Sequence, residues 1–243
     1  MPLYFPHEPF QILVMAVGLV LSLLAAALVK GTAARYARVE SRSGFTGAQV
    51  ASAILHANGI RDVTIEPVQG HLTDHYDPAS KTLRLSEAVF ADRSITALGI
   101  AAHEVGHAIQ HAQGYAPLRF RSAWVPMAGI GTNIGFWILI AAALMGGVER
   151  APMMTWLGLA LFGMTTLFTL VTLPVEFDAS RRALATLERS GVLAADEMPG
   201  ARAVLGAAAL TYVAAFVTSL LQLLYWAWRL GLFGRSDGGR DQS

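Results

Sequence analysis

Four long stretches of this chain contain no charged side chain. They run over residues 11–29, 122–148, 151–175 and 203–228. A helix rises about 1.5 Å per residue, so each stretch is long enough to cross a hydrocarbon layer about 30 Å thick. Only 14% of all residues are charged, whereas a typical soluble domain has about 25%. The sequence therefore predicts a mainly α, polytopic membrane protein with about four transmembrane helices.

The charge-free stretches divide the chain into parts with different expected environments. We predict a first transmembrane helix, a soluble insert, a transmembrane hairpin, a cytosolic helix, a fourth transmembrane helix and a polar tail, over residues 1–30, 31–121, 122–175, 176–202, 203–230 and 231–243. In the insert, Thr46 is placed to cap a helix over residues 47–57, and residues 63–67 and 81–86 have strand patterns. The insert is thus expected to be a small α+β domain.

Basic residues indicate which parts face the cytosol. They follow the first stretch and the third, at Lys30, Arg35, Arg38, Arg42, Arg181, Arg182, Arg189 and Arg202. Cytosolic loops carry an excess of Lys and Arg, so the insert and the 176–202 segment are both predicted to lie in the cytosol. Four spans then put the tail outside, where Arg235 and Arg240 fit this rule poorly.

The insert contains the sequence His103-Glu104-Val105-Gly106-His107. Ser94 is a suitable N-cap and Gly114 a suitable stop, which place this sequence within one helix. Residues four apart lie on the same helical face, so the imidazoles of His103 and His107 can bind one metal ion. Glu104 lies about 100° round the helix, where it can accept a proton from a water molecule without being a ligand. This is the arrangement of a zinc hydrolase.

Composition narrows the chemistry of the site. The chain has no cysteine, so the site has neither thiolate ligands nor disulfides and must use His, Asp or Glu. Its net charge is +1 and it lacks a basic stripe with interleaved aromatic residues. We therefore expect no nucleic-acid partner. The charge-free stretches make the lipid bilayer the main expected environment.

A catalytic zinc ion needs a third protein ligand and an open position for water. We predict Glu176, which follows the third charge-free stretch on the side predicted for the insert. The alternatives are Asp178, which is better suited to orient a histidine, and His111, which lies about 6 Å further along the helix than His107.

Two further segments are candidates for the site. The run from His71 to Asp77 includes Asp74 and His75, and it is either a hydrogen-bonded turn or a functional segment. In the second case His71 or His75 would polarise the scissile carbonyl, or the run would bind a second ion. The strand from Leu83 to Leu85 is expected to bind the substrate as an added strand.

These motifs together resemble the YugP family of bacterial membrane zinc metallopeptidases. The resemblance extends from about residue 42 to residue 228 and depends on the segments 71–78, 83–86, 101–111, 173–182 and 207–215. It implies a gluzincin-like peptidase of the bacterial inner membrane, distantly similar to the HtpX group. It also implies one zinc ion on His103, His107 and Glu176, with Glu104 as the general base. In the HtpX group an Asp follows the ligand Glu by four residues, whereas Ser180 holds that position here and the acid is Asp178.

The expected activity is hydrolysis of peptide bonds in membrane or misfolded proteins by metal-activated water, with Glu104 as proton carrier. An intramembrane protease of the site-2 type is excluded, because the uncharged run before His103 covers only residues 94–102. A zinc transporter would need acidic or histidine residues deep in its spans, and the sequence shows none there. The remaining alternative is a zinc-containing membrane scaffold without turnover. Retention of Glu104 argues against it, because a structural zinc needs no general base.

Overall fold

The computed structural model describes residues 8–70, 72–230 and 232. In these residues eleven named elements follow one another: α1 (Glu8–Tyr36), α2 (Gly47–Ala57), β1 (Thr64–Val68), β2 (His75–Asp77), β3 (Thr82–Ser86), α3 (Glu87–Phe90), α4 (Ile95–Ala112), α5 (Ala116–Ile130), α6 (Phe136–Leu144), α7 (Pro152–Ser190) and α8 (Met198–Arg229). A π-helical turn joins α5 to α6, and a short 3₁₀ turn precedes α7.

Four helical segments of the described chain are long and apolar enough to cross a membrane. They are Pro9–Tyr36, Ala116–Leu144, Pro152–Ser190 and Met198–Arg229. In the described chain, the three strands form one small sheet, and all other named elements are helices. The predicted fold class, mainly α with four apolar helices and a small α+β part, is confirmed.

The third charge-free stretch and the segment after it form one continuous helix, α7. Glu176 was expected to begin a new helix, and this is wrong, since it lies well inside α7. Pro174 is accommodated within the same helix. The favourable dipole position at a helix N-terminus therefore does not account for the Glu176 carboxylate, which is buried.

The contacts divide the chain into two compact units. The first consists of residues 1–21, 124–170 and 215–243, of which the described part packs around a core that includes Leu139, Phe162 and Trp226. Within it, Thr166 and Thr169 of α7 hydrogen-bond Ser219 of α8. Such polar contacts between helices satisfy hydroxyl groups that lipid cannot.

The second unit consists of residues 22–123 and 171–214. Its core includes Val50 and Ile54 of α2, Leu98 and Val105 of α4, and Leu187 of α7. Thr46 caps α2 in a reciprocal pair of hydrogen bonds with Gln49, and Ser94 caps α4 through the N–H of Ala97. The caps predicted for both helices are confirmed. All the residues of the predicted zinc site belong to this second unit.

The sheet has the strand order β1-β3-β2, with β1 parallel and β2 antiparallel to β3. Leu83 and Leu85 belong to the central strand, and both edges of that strand are already hydrogen-bonded. The prediction that this strand accepts a substrate as an added strand is therefore wrong. Both leucines are fully buried in the core, so they do not contact a substrate.

Candidate metal centre

Three side chains converge at one point of the second unit. They are His103 and His107 of α4 and Glu176 of α7, whose ligand atoms all lie within 4.8 Å of one another. The Oε2 atom of Glu176 is 3.2 Å from Nε2 of His103 and 3.5 Å from Nε2 of His107. Two ligands at about 2.0–2.1 Å from a tetrahedral zinc ion would be about 3.3 Å apart, so this geometry fits a single zinc ion.

The remaining ring nitrogen of His103 has its own partner. Nδ1 of His103 lies 3.1 Å from the hydroxyl oxygen of Ser180, one turn beyond Glu176 on α7. If this nitrogen donates its proton to the hydroxyl, Nε2 keeps a free lone pair for a metal ion. Ser180 thus stands where the HtpX pattern has an acid, and it contacts the histidine directly.

The corresponding nitrogen of His107 faces a buried glutamine. Nδ1 of His107 lies 3.0 Å from Oε1 of Gln110, while Nε2 of Gln110 donates to the carbonyl of Val175 and to Asp178. Two acceptors at the amide nitrogen fix the orientation of the amide, so its oxygen accepts a hydrogen bond from Nδ1–H of His107. The predicted role of Asp178, orienting a histidine, fits this contact, although Asp178 acts through Gln110.

Asp178 is itself held by two guanidinium groups. Arg181 and Arg182 of the same helix both donate to its carboxylate, and the Asp178 side chain is buried. Since its oxygens are occupied by Gln110 and these arginines, Asp178 is not available as the third ligand. Of the alternatives considered from the sequence, Glu176 is the carboxylate that faces both histidines.

Arg121 forms an ion pair with the other oxygen of Glu176. Its terminal nitrogen lies 3.3 Å from Oε1, whereas both histidines face Oε2. The pair partly neutralises a carboxylate whose burial alone would be costly. It also leaves one oxygen for a metal ion, which favours monodentate binding and an open coordination position.

Glu104 is buried, with 8% of its surface exposed, and it is not one of the three converging ligands. Its Oε2 atom accepts a 3.0 Å hydrogen bond from the backbone N–H of Tyr76. This N–H points away from β3, so the free edge of β2 faces Glu104. An added strand would pair at this edge of β2 only by replacing Glu104 as the partner of the Tyr76 N–H.

Carboxylates dominate the electrostatics of the centre. Burial disfavours the imidazolium form of His107, but the neighbouring carboxylates of Glu176 and Glu104 outweigh it and raise its pKa. A raised pKa means that the surroundings stabilise positive charge. A metal cation would meet the same favourable potential.

The other predicted residues lie around this centre in different roles. Asp74 accepts hydrogen bonds from the N–H and hydroxyl of Ser86, and Nδ1 of His75 lies 2.7 Å from the carbonyl of Thr73. These contacts support the hydrogen-bonded alternative for this run, although His75 to Asp77 form a strand rather than a turn. His71 lies outside the described residues.

His111 is engaged at the far end of α4. Its Nδ1 atom lies 2.8 Å from the hydroxyl of Tyr76. Burial raises the pKa of Tyr76 to about 12, so its hydroxyl keeps its proton and can donate it to the imidazole. His111 is therefore a polar neighbour of β2 and is not part of the ligand group.

A cavity of about 160 Å³ adjoins the centre, and both His103 and Glu104 line it. Tyr212 of α8 lines the same cavity, and its hydroxyl group is subject to the charges of Glu176, Glu104 and Arg121. The sequence analysis did not predict Tyr212, Arg121 or Gln110, and it noted Ser180 only as the residue four positions after Glu176. Gln110 alone left a signal, since a residue three positions after His107 lies on the same helical face.

Comparison with known proteins gives a consistent result. Residues 11–231 match a protein family described as "Putative neutral zinc metallopeptidase". The chain is also 44% identical over 196 residues to the "Putative membrane protease YugP" of Bacillus subtilis (strain 168), covering 81% of this chain and 85% of that protein. No solved structure matches the chain. With its apolar helices and its group of two histidines and a glutamate, the chain belongs to the YugP-like family of zinc metallopeptidases.

Proposed function

We propose that this protein is a zinc endopeptidase that hydrolyses peptide bonds at the cytosolic surface of the bacterial inner membrane. The observation that carries the proposal is the position of Glu104. It is buried beside the ligand group without belonging to it, and it lines the same cavity as His103. A purely structural zinc site is closed by four ligands and has no use for such a carboxylate.

His103, His107 and Glu176 would hold one zinc ion. When bound, the ion supplies a Lewis acid and lowers the pKa of a bound water molecule towards about 7. Ser180 and Gln110 fix the two imidazole rings, and Arg121 holds the ligand carboxylate. Misplacement of such groups by about 1 Å is costly in catalysis, so these contacts have a functional purpose.

Glu104 would take a proton from the attacking water and deliver it to the leaving amine. In the described structure its carboxylate is held by the N–H of Tyr76, which restricts its orientation. The phenol of Tyr212 faces the same cavity and is the group proposed to stabilise the negative charge developing on the carbonyl oxygen. This role was expected of His71 or His75, but the Nδ1 atom of His75 contacts the carbonyl of Thr73 instead.

The substrate would be a polypeptide in extended conformation. The outer edge of β2 faces Glu104, and an extended segment would pair there through its main chain once the Tyr76 N–H exchanges Glu104 for the substrate. Recognition of the main chain is compatible with many sequences. Together with the membrane location, this supports a role in the degradation of membrane or misfolded proteins.

The test is a comparison of zinc content and proteolysis for Glu104→Gln. The amide cannot accept a proton as the carboxylate does, so we expect full zinc content and at least a 100-fold lower rate of cleavage of an unfolded membrane protein. Glu87→Gln is the control, because it makes the same change at an exposed position. Tyr212→Phe should lower kcat at unchanged zinc content, and an unchanged kcat would remove it from the mechanism.

The alternative scaffold function gives a different result in the same experiment. A scaffold would bind zinc but cleave no substrate, and Glu104→Gln would be indistinguishable from the wild type. Wild-type cleavage by zinc-loaded Glu104→Gln would also refute the proposed mechanism. Only loss of cleavage with retention of zinc supports the peptidase.

A further inference from the structure

The cavity beside His103 and Glu104 has walls of a distinct chemical character. Apart from the polar groups named above, it is lined by apolar side chains of α1, α4 and α8, which include Val29, Ala33, Ile100, Val204, Leu205 and Ala208. These helices belong here to the same compact unit as the metal centre. The cavity is therefore an apolar space that opens beside the group proposed to move protons.

The size of the cavity limits what it can hold. Its volume is about 160 Å³, and an apolar cavity of about 150 Å³ holds a benzene molecule. One leucine or phenylalanine side chain fits such a space. Ala208 and Ala209 contribute to the wall from α8, and their small side chains leave this room.

The two carboxylates at the cavity, Asp74 and Glu104, disfavour negatively charged occupants. Asp74 reaches it, but its carboxylate accepts hydrogen bonds from the N–H and hydroxyl of Ser86. Ser180 is engaged with His103. Burying a charged side chain without a partner costs far more than burying an apolar one gains. An aspartate or glutamate of a substrate is therefore disfavoured there.

Leu72 gives a second, independent indication. This residue lines the cavity with 63% of its surface exposed and has a φ of 58°. A leucine in the left-handed backbone region is strained, and strained residues cluster at ligand sites and active sites. Its exposed side chain would be covered by an apolar group that enters the cavity.

We propose that this cavity is a specificity pocket for a leucine- or phenylalanine-sized apolar side chain next to the scissile peptide bond. The proposal rests on the proposed peptidase function, since it assigns a substrate class to the same centre. Main-chain pairing at β2 would then provide general affinity, and this pocket would select the position of cleavage.

The first experiment measures binding without turnover. L-leucine hydroxamate and glycine hydroxamate are titrated into the zinc-loaded, full-length protein in detergent. Burial of its apolar side chain in the cavity is favourable, so we expect the leucine compound to bind at least tenfold more tightly. Ala208→Leu fills the pocket and should bring this ratio close to one. Ala215→Leu makes the same change at an exposed position of α8 and should leave the ratio unchanged.

The second experiment measures cleavage of quenched peptides that differ only at the residue next to the scissile bond. The wild type should prefer leucine and phenylalanine over glycine and aspartate by at least tenfold. Ala208→Leu should shift the preference to glycine and alanine. Ile100→Ala enlarges the pocket and should shift it towards tryptophan, which keeps the test valid if the crowded variant fails to fold.

The outcomes separate the pocket from the peptidase function. Equal binding of the two hydroxamates by the wild type, or a ratio unaffected by Ala208→Leu, would overturn the pocket while leaving the metal centre intact. Failure of both hydroxamates to bind the zinc-loaded protein would refute the metal centre, and the pocket with it. Cleavage by Glu104→Gln would refute the mechanism, although a persistent hydroxamate ratio would still support the pocket.

Discussion

At the scale of single residues, the centre depends on neutral groups as much as on its ligands. Ser180 and Gln110 each contact the Nδ1 atom of one histidine, at 3.1 and 3.0 Å. With these nitrogens acting as donors, the two Nε2 atoms are available to one metal ion. The hydroxyl and the amide thus orient the two imidazole rings, a role that a carboxylate has in many zinc sites.

Replacing Gln110 by leucine tests this role. The change leaves Nδ1 of His107, the carbonyl of Val175 and one oxygen of Asp178 without the partner that joined them. Loss of such a supporting contact typically lowers metal affinity 10–100-fold. A competition titration with a zinc chelator measures it. Gln69→Leu, at an exposed position just after β1, should leave the affinity within about twofold of the wild type.

An equal loss of zinc affinity in the two variants would contradict the assignment. If Gln110→Leu simply destabilises the fold, its thermal unfolding midpoint in the absence of zinc will be lower than that of the wild type. A lowered affinity at a retained midpoint is the result that only an orienting role predicts.

At the scale of elements, the approach of α4 to α7 brings the ligands together. A Cβ atom at Gly106 would lie 2.5 Å from the carbonyl oxygen of Ala179, too close for any side chain. Gly106 lies between the two histidines in sequence, and Ala179 follows Glu176 by three residues. Only glycine therefore allows the helices to approach closely enough for one ion to contact both.

Gly106→Ala should separate the two helices. Overpacking of this kind lowers the free energy of unfolding by about 1–3 kcal/mol. Because it also displaces Glu176, we expect the zinc affinity to fall at least tenfold. The control is Gly99→Ala on the same helix, where the nearest atom to the added Cβ would be 3.9 Å away. Because alanine favours helix more than glycine, this control should unfold at the same or a higher temperature.

Equal thermal midpoints and zinc affinities for Gly106→Ala and the wild type would show that the close contact of α4 with α7 is not needed. The measurements are a thermal melt in detergent and a chelator titration for each variant.

Sequence patterns predicted elements better than contacts between them. The caps at Thr46 and Ser94 depend on residues a few positions away, and both predictions hold. The short strand β2 was missed, because three mixed polar residues have no strand pattern of their own and depend on pairing with β3. Arg121 and Tyr212 gave no local signal, because their roles arise only from the approach of distant helices.

The helix containing Glu176 shows that the ends of helices are also hard to predict from the sequence. The charge-free stretch ends at residue 175, and a new helix was therefore expected to begin at Glu176, two residues after Pro174. The observed helix continues through this position. Proline is tolerated within apolar helices when neighbouring groups satisfy the freed carbonyl groups, and a single sequence does not reveal such neighbours.

At the scale of the whole molecule, the proposed cytosolic location of the centre depends on the orientation of four helices. The chain has no cysteine, so single cysteines can report this orientation without background. We propose Asn58→Cys in the loop after α2 and Glu149→Cys in the short turn before α7. The basic residues at and after the end of α1, and in the second half of α7, predict opposite sides for these positions.

Labelling of intact cells with a membrane-impermeant maleimide tests the orientation. Cys at position 149 should be labelled from outside, whereas Cys at position 58 should react only after the membrane is opened. The reverse pattern would place the centre outside the cytosol, and labelling of both positions in intact cells would contradict the arrangement of spans.

We expect His103, His107 and Glu176 together to hold one zinc ion. Elemental analysis of the purified full-length protein, which gives the number of zinc ions per chain, tests this assignment. The wild type should contain one zinc ion, Glu176→Ala should contain close to none after dialysis, and Asp178→Ala should keep most of its zinc because Asp178 acts through Gln110. An unchanged zinc content in Glu176→Ala, or a complete loss in Asp178→Ala alone, would contradict the assignment of the third ligand.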